Sequence, residues 1–126
     1  MKTFKKFEEI NAWQKARELN KKTYELTLLN QAFNNDYGLK DQIRRSCISI
    51  SSNIAEGFER ETFKEFIRFL YISKASAGEY RSQLYLAYDV SYISKYEFQE
   101  LNDIVNEISK MLFGLIKYLK TKLSNV

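Results

Sequence analysis

Proline and histidine are both absent from this 126-residue chain, cysteine occurs once, and there are only four glycines. Without proline, nothing forces a break inside a helix. Without histidine, the chain lacks the usual general base and the Glu-x-x-His pairs with which ferritin-like bundles hold two irons. The lone Cys47 can form no internal disulfide and leaves no Cys-pair metal pattern. Gly57 stands alone, so no glycine-rich phosphate loop is present. No apolar run approaches the roughly 18 residues of a membrane span, and residues 1–10 carry lysines but no uninterrupted apolar segment. Together these absences point away from catalysis, metals, cofactors and membranes, and toward a reducing, cytoplasmic setting.

What the chain does contain is helical pattern. A hydrophobic share of 44% excludes wholesale disorder, and 126 residues suit one domain spanning 1–126. Start signals place four helices near 11–30, 38–56, 62–92 and 95–123. Asn11 with Gln14 reads as a cap and capping box before a helix carrying Trp13, Ala16, Leu19, Tyr24 and Leu28. Residues 31–37 read as the longest connection. Thr62 with Glu65, and Ser94 with Glu97, repeat the capping pattern. In the third helix Phe63, Leu70, Ala77 and Leu84 recur every seven residues, with Phe66, Ser73, Tyr80 and Ala87 between them. The last has the clearest seam: Leu101, Ile104, Val105, Ile108, Met111, Leu112, Leu115 and Leu119. Short corners make such helices antiparallel neighbours, so the expected fold is all-α, an up-down-up-down antiparallel four-helix bundle.

Residues 39–58 are the most distinctive stretch. Leu39, Ile43, Cys47, Ile50 and Ile54 lie on one side of a helix, and Cys47 there reads as a bland buried thiol. The other side carries Lys40, Gln42, Arg44, Arg45, Ser49, Ser51, Ser52, Asn53 and Glu56. Gly57 reads as a left-handed C-terminal residue. Serine and asparagine compete for backbone hydrogen bonds, so burial between other helices is needed to hold this segment. Glu56, Glu59 and Glu61, with Arg60 among them, read as an exposed corner rather than a metal site.

The run Gln42-Ile43-Arg44-Arg45 followed by Ser49-Ile50-Ser51-Ser52-Asn53-Ile54-Ala55-Glu56-Gly57 resembles the signature of the 23S rRNA intervening-sequence protein family, small bacterial four-helix bundles. Ala12-Trp13-Gln14-Lys15-Ala16, Tyr37-Gly38-Leu39, Glu65-Phe66-Ile67-Arg68-Phe69-Leu70 and Ser73 to Glu79 extend the resemblance over nearly the whole chain. Ser51 stands where the family usually has proline, Ala75 where it has glycine, and no proline lies near Phe33. The resemblance implies RNA binding, since its members are encoded inside 23S rRNA genes. It also implies a homo-oligomer, with a pentamer favoured, because members resemble the pentameric accessory proteins of diversity-generating retroelements, which bind a reverse transcriptase and nucleic acid.

Helix length and charge add to this. The last two helices read as about 45 Å long and the first two as about 30 Å, so one end of the long pair should project. Tyr85, Tyr88, Tyr92, Tyr96 and Phe98 cluster near that corner, as a subunit contact or as a cover for the bundle end. Residues 1–45 carry net charge +4, residues 46–109 net −4 and residues 110–126 net +4. An up-down bundle brings Lys2, Lys5, Lys6, Lys117, Lys120 and Lys122 to one basic pole, with Asp89, Glu97, Glu100 and Asp103 at the far corner. Two functions follow. In one, Lys40, Gln42, Arg44 and Arg45, with that pole, contact RNA phosphates. In the other, the protein is an assembly or adaptor module in which Asn53, Glu56 and Arg45, with Tyr88, Tyr92 and Phe98, serve structural or interface roles against a subunit or partner such as a reverse transcriptase.

Overall fold

The computed structural model describes residues 4–124, with the side chains of residues 4–123. A short 3-10 turn, Phe7–Glu9, leads into α1 (Asn11–Leu29), α2 (Gln31–Asn35), α3 (Tyr37–Phe58), α4 (Phe63–Asp89) and α5 (Lys95–Ser124). No strand occurs among the described residues.

Among the described residues the α-helices number five, against the four expected. The fifth, α2, occupies what reads as a connection in the sequence. Asn30 explains it: its side chain accepts from Phe33 N at 2.9 Å, capping α2, while its Nδ2 donates to Tyr92 O at 2.6 Å. Phe33 is wholly buried and stacks on Tyr92 at 5.3 Å.

The four long helices pack in the ring order α1, α3, α4, α5. Asn20 bonds Ser51 and Arg44 bonds Thr27; Ser46 bonds Gln83 and Ser49 bonds Ser76. Lys120 bonds Tyr71 and Arg81 bonds Asn102, while Lys15 pairs with Glu107 and Lys22 with Glu100. In each series one number rises as the other falls, so neighbours in the ring run antiparallel. One core lies between them. It includes Leu39, Ile43, Cys47, Ile50 and Ile54 of α3, Leu70, Ala77 and Leu84 of α4, and Leu101, Val105, Ile108, Leu112 and Leu119 of α5.

The serine-rich face of α3 is held by its neighbours. Ser73 Oγ donates to Ile50 O at 2.7 Å, Ser46 Oγ to Gln83 Oε1 at 2.7 Å, and Ser49 Oγ lies 2.8 Å from Ser76 Oγ. These long-range bonds tie the polar face of α3 to α4, while Ser46 Oγ also reaches Ile43 O and Ser51 Oγ donates to Ile48 O within the helix.

Several local expectations are corrected. Asn11 is the first residue of α1 rather than its cap; Ile10 precedes the helix, and Gln14 Nε2 donates to Glu8 O at 2.8 Å. The 3-10 turn has displaced the capping box. In α1 the buried positions are Ala12, Ala16, Leu19, Thr23 and Thr27, so Tyr24 and Leu28 face outward. Thr23 can be buried because its hydroxyl lies 2.7 Å from that of Tyr80, across the bundle. Gly57 has no positive φ. It lies inside α3, where a Cβ would come within 2.7 Å of Phe69 Cβ and 3.0 Å of Phe66 Cδ1. The glycine permits close helix approach.

The left-handed residue is Ser91, φ 66, just after α4. Tyr92 N donates to Ala87 O at 2.9 Å and Ser91 N to Tyr88 O at 3.0 Å, a Schellman closure that ends α4 at Asp89 rather than near 92. The caps at Thr62 and Ser94 form as expected: Thr62 Oγ1 accepts from Glu65 N, and Ser94 and Glu97 exchange two bonds.

Candidate nucleic-acid interface

Cationic side chains gather at both ends of the molecule, and the two ends hold them differently. At the α2 end, Arg44 leans from α3 onto α1. Its Nε and Nη2 donate to Thr27 Oγ1 at 3.0 and 2.7 Å, and its guanidinium lies 4.2 Å from the Tyr24 ring centroid. Tyr24, facing outward, offers this cation a platform. Lys40 Nζ donates to Asn34 Oδ1 at 3.1 Å and sits 4.8 Å from the Tyr37 ring centroid. Arg45 pairs with Asp41 at 2.8 Å, one turn away, with both side chains well exposed. Tyr37, Gly38, Lys40, Asp41, Gln42 and Arg44 line an open cleft of about 510 Å³.

At the other end, the last turns of α5 carry lysines set over aromatic rings. Lys117 Nζ lies 5.4 Å from the Phe113 centroid, Lys122 Nζ 5.2 Å from that of Tyr118, and Lys120 Nζ 5.2 Å from that of Tyr71, whose hydroxyl it also donates to at 2.7 Å. Arg60 and Arg68 flank the Phe69 ring at 4.8 and 4.6 Å. Their carboxylate partners are Glu56 and Glu65, both exposed, and Arg68 holds the Glu65 carboxyl below its ordinary range. Residues 110–126 contain no acidic side chain, and Lys117 and Lys122 make no ion pair among the described residues.

The expected site therefore divides. Phe4, Ile10, Asn11, Ala12, Met111, Gly114 and Leu115 line one groove, which brings the segment carrying Lys5 and Lys6 to the α5 terminal end. Lys2 lies outside the described residues. Arg44, bonded to Thr27, is level with the first turns of α5, whereas Lys117, Lys120 and Lys122 occupy its last. A 30-residue helix separates these levels by on the order of 30 Å.

The residues expected at an interface divide as well. Asn53 Nδ2 bonds Ser49 O and Oγ within α3, and Glu56 pairs with Arg60 one turn on. Tyr92 belongs to the cover of the bundle end: its hydroxyl donates to Asp36 Oδ2 at 2.9 Å, and that bond raises its pKa. The α4–α5 corner is thus closed by α2 instead of projecting bare. Tyr88 and Tyr85 lie on the outer face, with ring centroids 5.1 and 4.9 Å from that of Phe98.

Cys47 is buried in the core, and that burial pushes its thiol up to about 11, which leaves it un-ionised near neutrality. No three His, Cys, Asp or Glu side chains converge as a metal cluster among the described residues, and no helix there is long and apolar enough to cross a membrane.

The rings beneath the cations are absent from the site read off the sequence. Their spacing was the available signal: Phe113 with Lys117 and Tyr118 with Lys122 are four apart, and Tyr37 with Lys40 three apart, so each pair shares a helix face.

No curated protein matches the chain. A solved structure from Bacteroides thetaiotaomicron, described as a protein with unknown function from the S23 ribosomal protein family, is 27% identical, with a TM-score of 0.79 over 84% of this chain and 98% of that one. The family model for the 23S rRNA-intervening sequence protein matches residues 8–114. A match of that extent places the chain in a family, and it agrees with the motifs of α3 and α4: the chain belongs to the 23S rRNA-intervening sequence protein family.

Proposed function

We propose that the protein is a non-enzymatic, cytoplasmic RNA-binding protein, an up-down-up-down four-helix bundle that works as a homo-oligomer. One observation carries the RNA reading: the acid-free last turns of α5, where Lys117, Lys120 and Lys122 each sit over an exposed aromatic ring. Ammonium groups held over rings and facing solvent serve phosphates, with little preference for sequence. Membership of a family named for 23S rRNA supports the same reading. A net charge of +4 per chain holds few phosphates, so an assembled ring binds better than a monomer.

The test is RNA affinity across a series of salt concentrations. Replacing Lys117, Lys120 and Lys122 together by Ala lowers affinity at least about tenfold and flattens the log–log salt slope by about 2, as three lost contacts to a single strand require. A wild-type protein without salt-dependent RNA binding defeats the reading.

A second reading, an assembly or adaptor protein without RNA contact, is favoured by the outward aromatic group Tyr85, Tyr88 and Phe98. The same group supports oligomerisation, and the resemblance to retroelement accessory proteins favours five subunits. Light scattering that finds only the 15.0 kDa monomer at micromolar concentration defeats the oligomer. Partner binding indifferent to salt, with no RNA binding, supports the adaptor.

A further inference from the structure

The cleft at the start of α3 has a composition that the basic pole lacks: two immobilised cations, an exposed ring and an amide around one open volume. We propose that this cleft takes a single unpaired nucleotide of RNA, its base on the Tyr37 ring and its phosphate between Lys40 and Arg44. The proposal rests on the RNA-binding reading and assigns it a subsite.

Tyr37 is 73% exposed, an unusual placement for a tyrosine in the first turn of a helix that buries Leu39 two residues later. Its ring contributes little to the core, and Lys40 Nζ lies 4.8 Å from its centroid. A base inside a duplex has no free face to offer such a ring, whereas an unpaired base does. Arg44 is fixed by Tyr24 and by two bonds to Thr27 Oγ1, which use two of its five N–H donors and leave three for a phosphate. Lys40 is steadied by one bond to Asn34, and an ammonium has three donors.

Asp41, the one carboxylate lining the cleft, is paired with Arg45 at 2.8 Å, which lowers its repulsion toward an anion. Gln42 supplies both a donor and an acceptor for a base edge. Gly38 adds no side chain between Tyr37 and Lys40, and a Cβ there would meet only Asp36 Oδ1, at 3.7 Å. Lys40 thus covers one face of the Tyr37 ring, the exposure of that ring leaves its other face to a base, and the rim of the cleft is positive. This division of labour differs from that at the basic pole, which attracts single strands and duplexes alike through phosphates. The cleft discriminates between them.

The experiment compares a single-stranded 12-mer RNA with a blunt duplex of the same length by fluorescence anisotropy, using wild type, Tyr37→Ala, Tyr37→Trp and Lys40→Met. Tyr37→Ala lowers single-strand affinity about fivefold or more and leaves duplex affinity unchanged. Tyr37→Trp retains the single-strand preference, and Lys40→Met reduces the salt slope for the single strand. Equal losses for both RNAs in Tyr37→Ala overturn the stacking role, and no loss for either overturns the subsite; in both cases the RNA-binding reading stands. Wild type that binds neither RNA overturns the RNA-binding reading itself. A titration of wild type with adenosine 5′-monophosphate, read at the Tyr37 ring resonances by NMR, then decides the cleft separately: shifts saturating at millimolar nucleotide support it, and unmoved resonances overturn it.

Discussion

The two cationic ends of the molecule use the same residue types for different purposes. At the α2 end the cations are part of the architecture: Arg44 ties α3 to α1 through Thr27, Lys40 ties α3 to α2 through Asn34, and Tyr92 is bonded to Asp36 and Asn30. At the α5 terminal end the helices meet through aromatic packing, with Gly57 against Phe69 and Phe58 edge-on to Phe66 at 6.1 Å. Lys117 and Lys122 there rest on outward rings, while Lys120 also donates to the Tyr71 hydroxyl of α4. A cation that closes the fold loses donors to it, while one resting on a ring keeps most of its ammonium donors for solvent or a phosphate.

That contrast is broken most directly by truncating one cation at each end. Arg44→Ala removes two charge-assisted bonds to a buried hydroxyl and is expected to cost roughly 1.5–3 kcal/mol of stability in urea unfolding. Lys117→Ala should change stability by less than about 0.5 kcal/mol, as for an ordinary surface position. Equal effects would erase the distinction between cations that also hold the fold and cations that do not.

The core shared by both ends responds to alkali. Cys47 is pushed from 9.0 up to about 11 by burial, and burial raises the Tyr80 phenol above its ordinary 10.0 as well. Both are neutral in the folded protein and ionise sooner in the unfolded chain. Stability is therefore full below pH 9 and falls as pH rises, by about 2 kcal/mol at pH 11 from Cys47 alone. Urea midpoints across pH 8–11 check this. Cys47→Ala should flatten the decline between pH 9 and 10, whatever offset its cavity introduces.

The sequence showed most of the α4 and α5 seams, missing the buried Ile67, Phe69 and Ile116, and the caps at Thr62 and Ser94, because those signals are local: periodicity and a hydroxyl three residues before an acid. It failed where a distant partner decides the outcome. Thr23 and Thr27 displace Tyr24 and Leu28 from the core side of α1 because Tyr80 and Arg44, from other helices, meet their hydroxyls. Gly57 looked like a terminator because only the packed structure brings Phe69 to it. The cationic residues named for the candidate site lie at two ends of the molecule. That division depends on which turn of one helix stands beside which turn of another, and residue spacing within a helix does not encode that.

The smallest expected effects come from one substitution made at two glycines. Alanine in place of a helical glycine removes chain entropy from the unfolded state and by itself stabilises by about 0.5–1 kcal/mol. At Gly57 the new Cβ would stand 2.7 Å from Phe69 Cβ, an atom fixed to the α4 backbone, so the helices must separate and the net change should be a loss of about 1–2 kcal/mol. At Gly114, on α5 near the basic pole, nothing lies within 4 Å of such a Cβ, and the gain should appear undiminished. Urea unfolding of both variants at low and high protein concentration reads the two signs. A loss at Gly114 that grows with concentration would place another copy of the chain against this stretch of α5, so that subunit contacts would reach the end whose lysines are assigned to RNA. A gain at both concentrations leaves that surface open, as the contrast between the two ends requires.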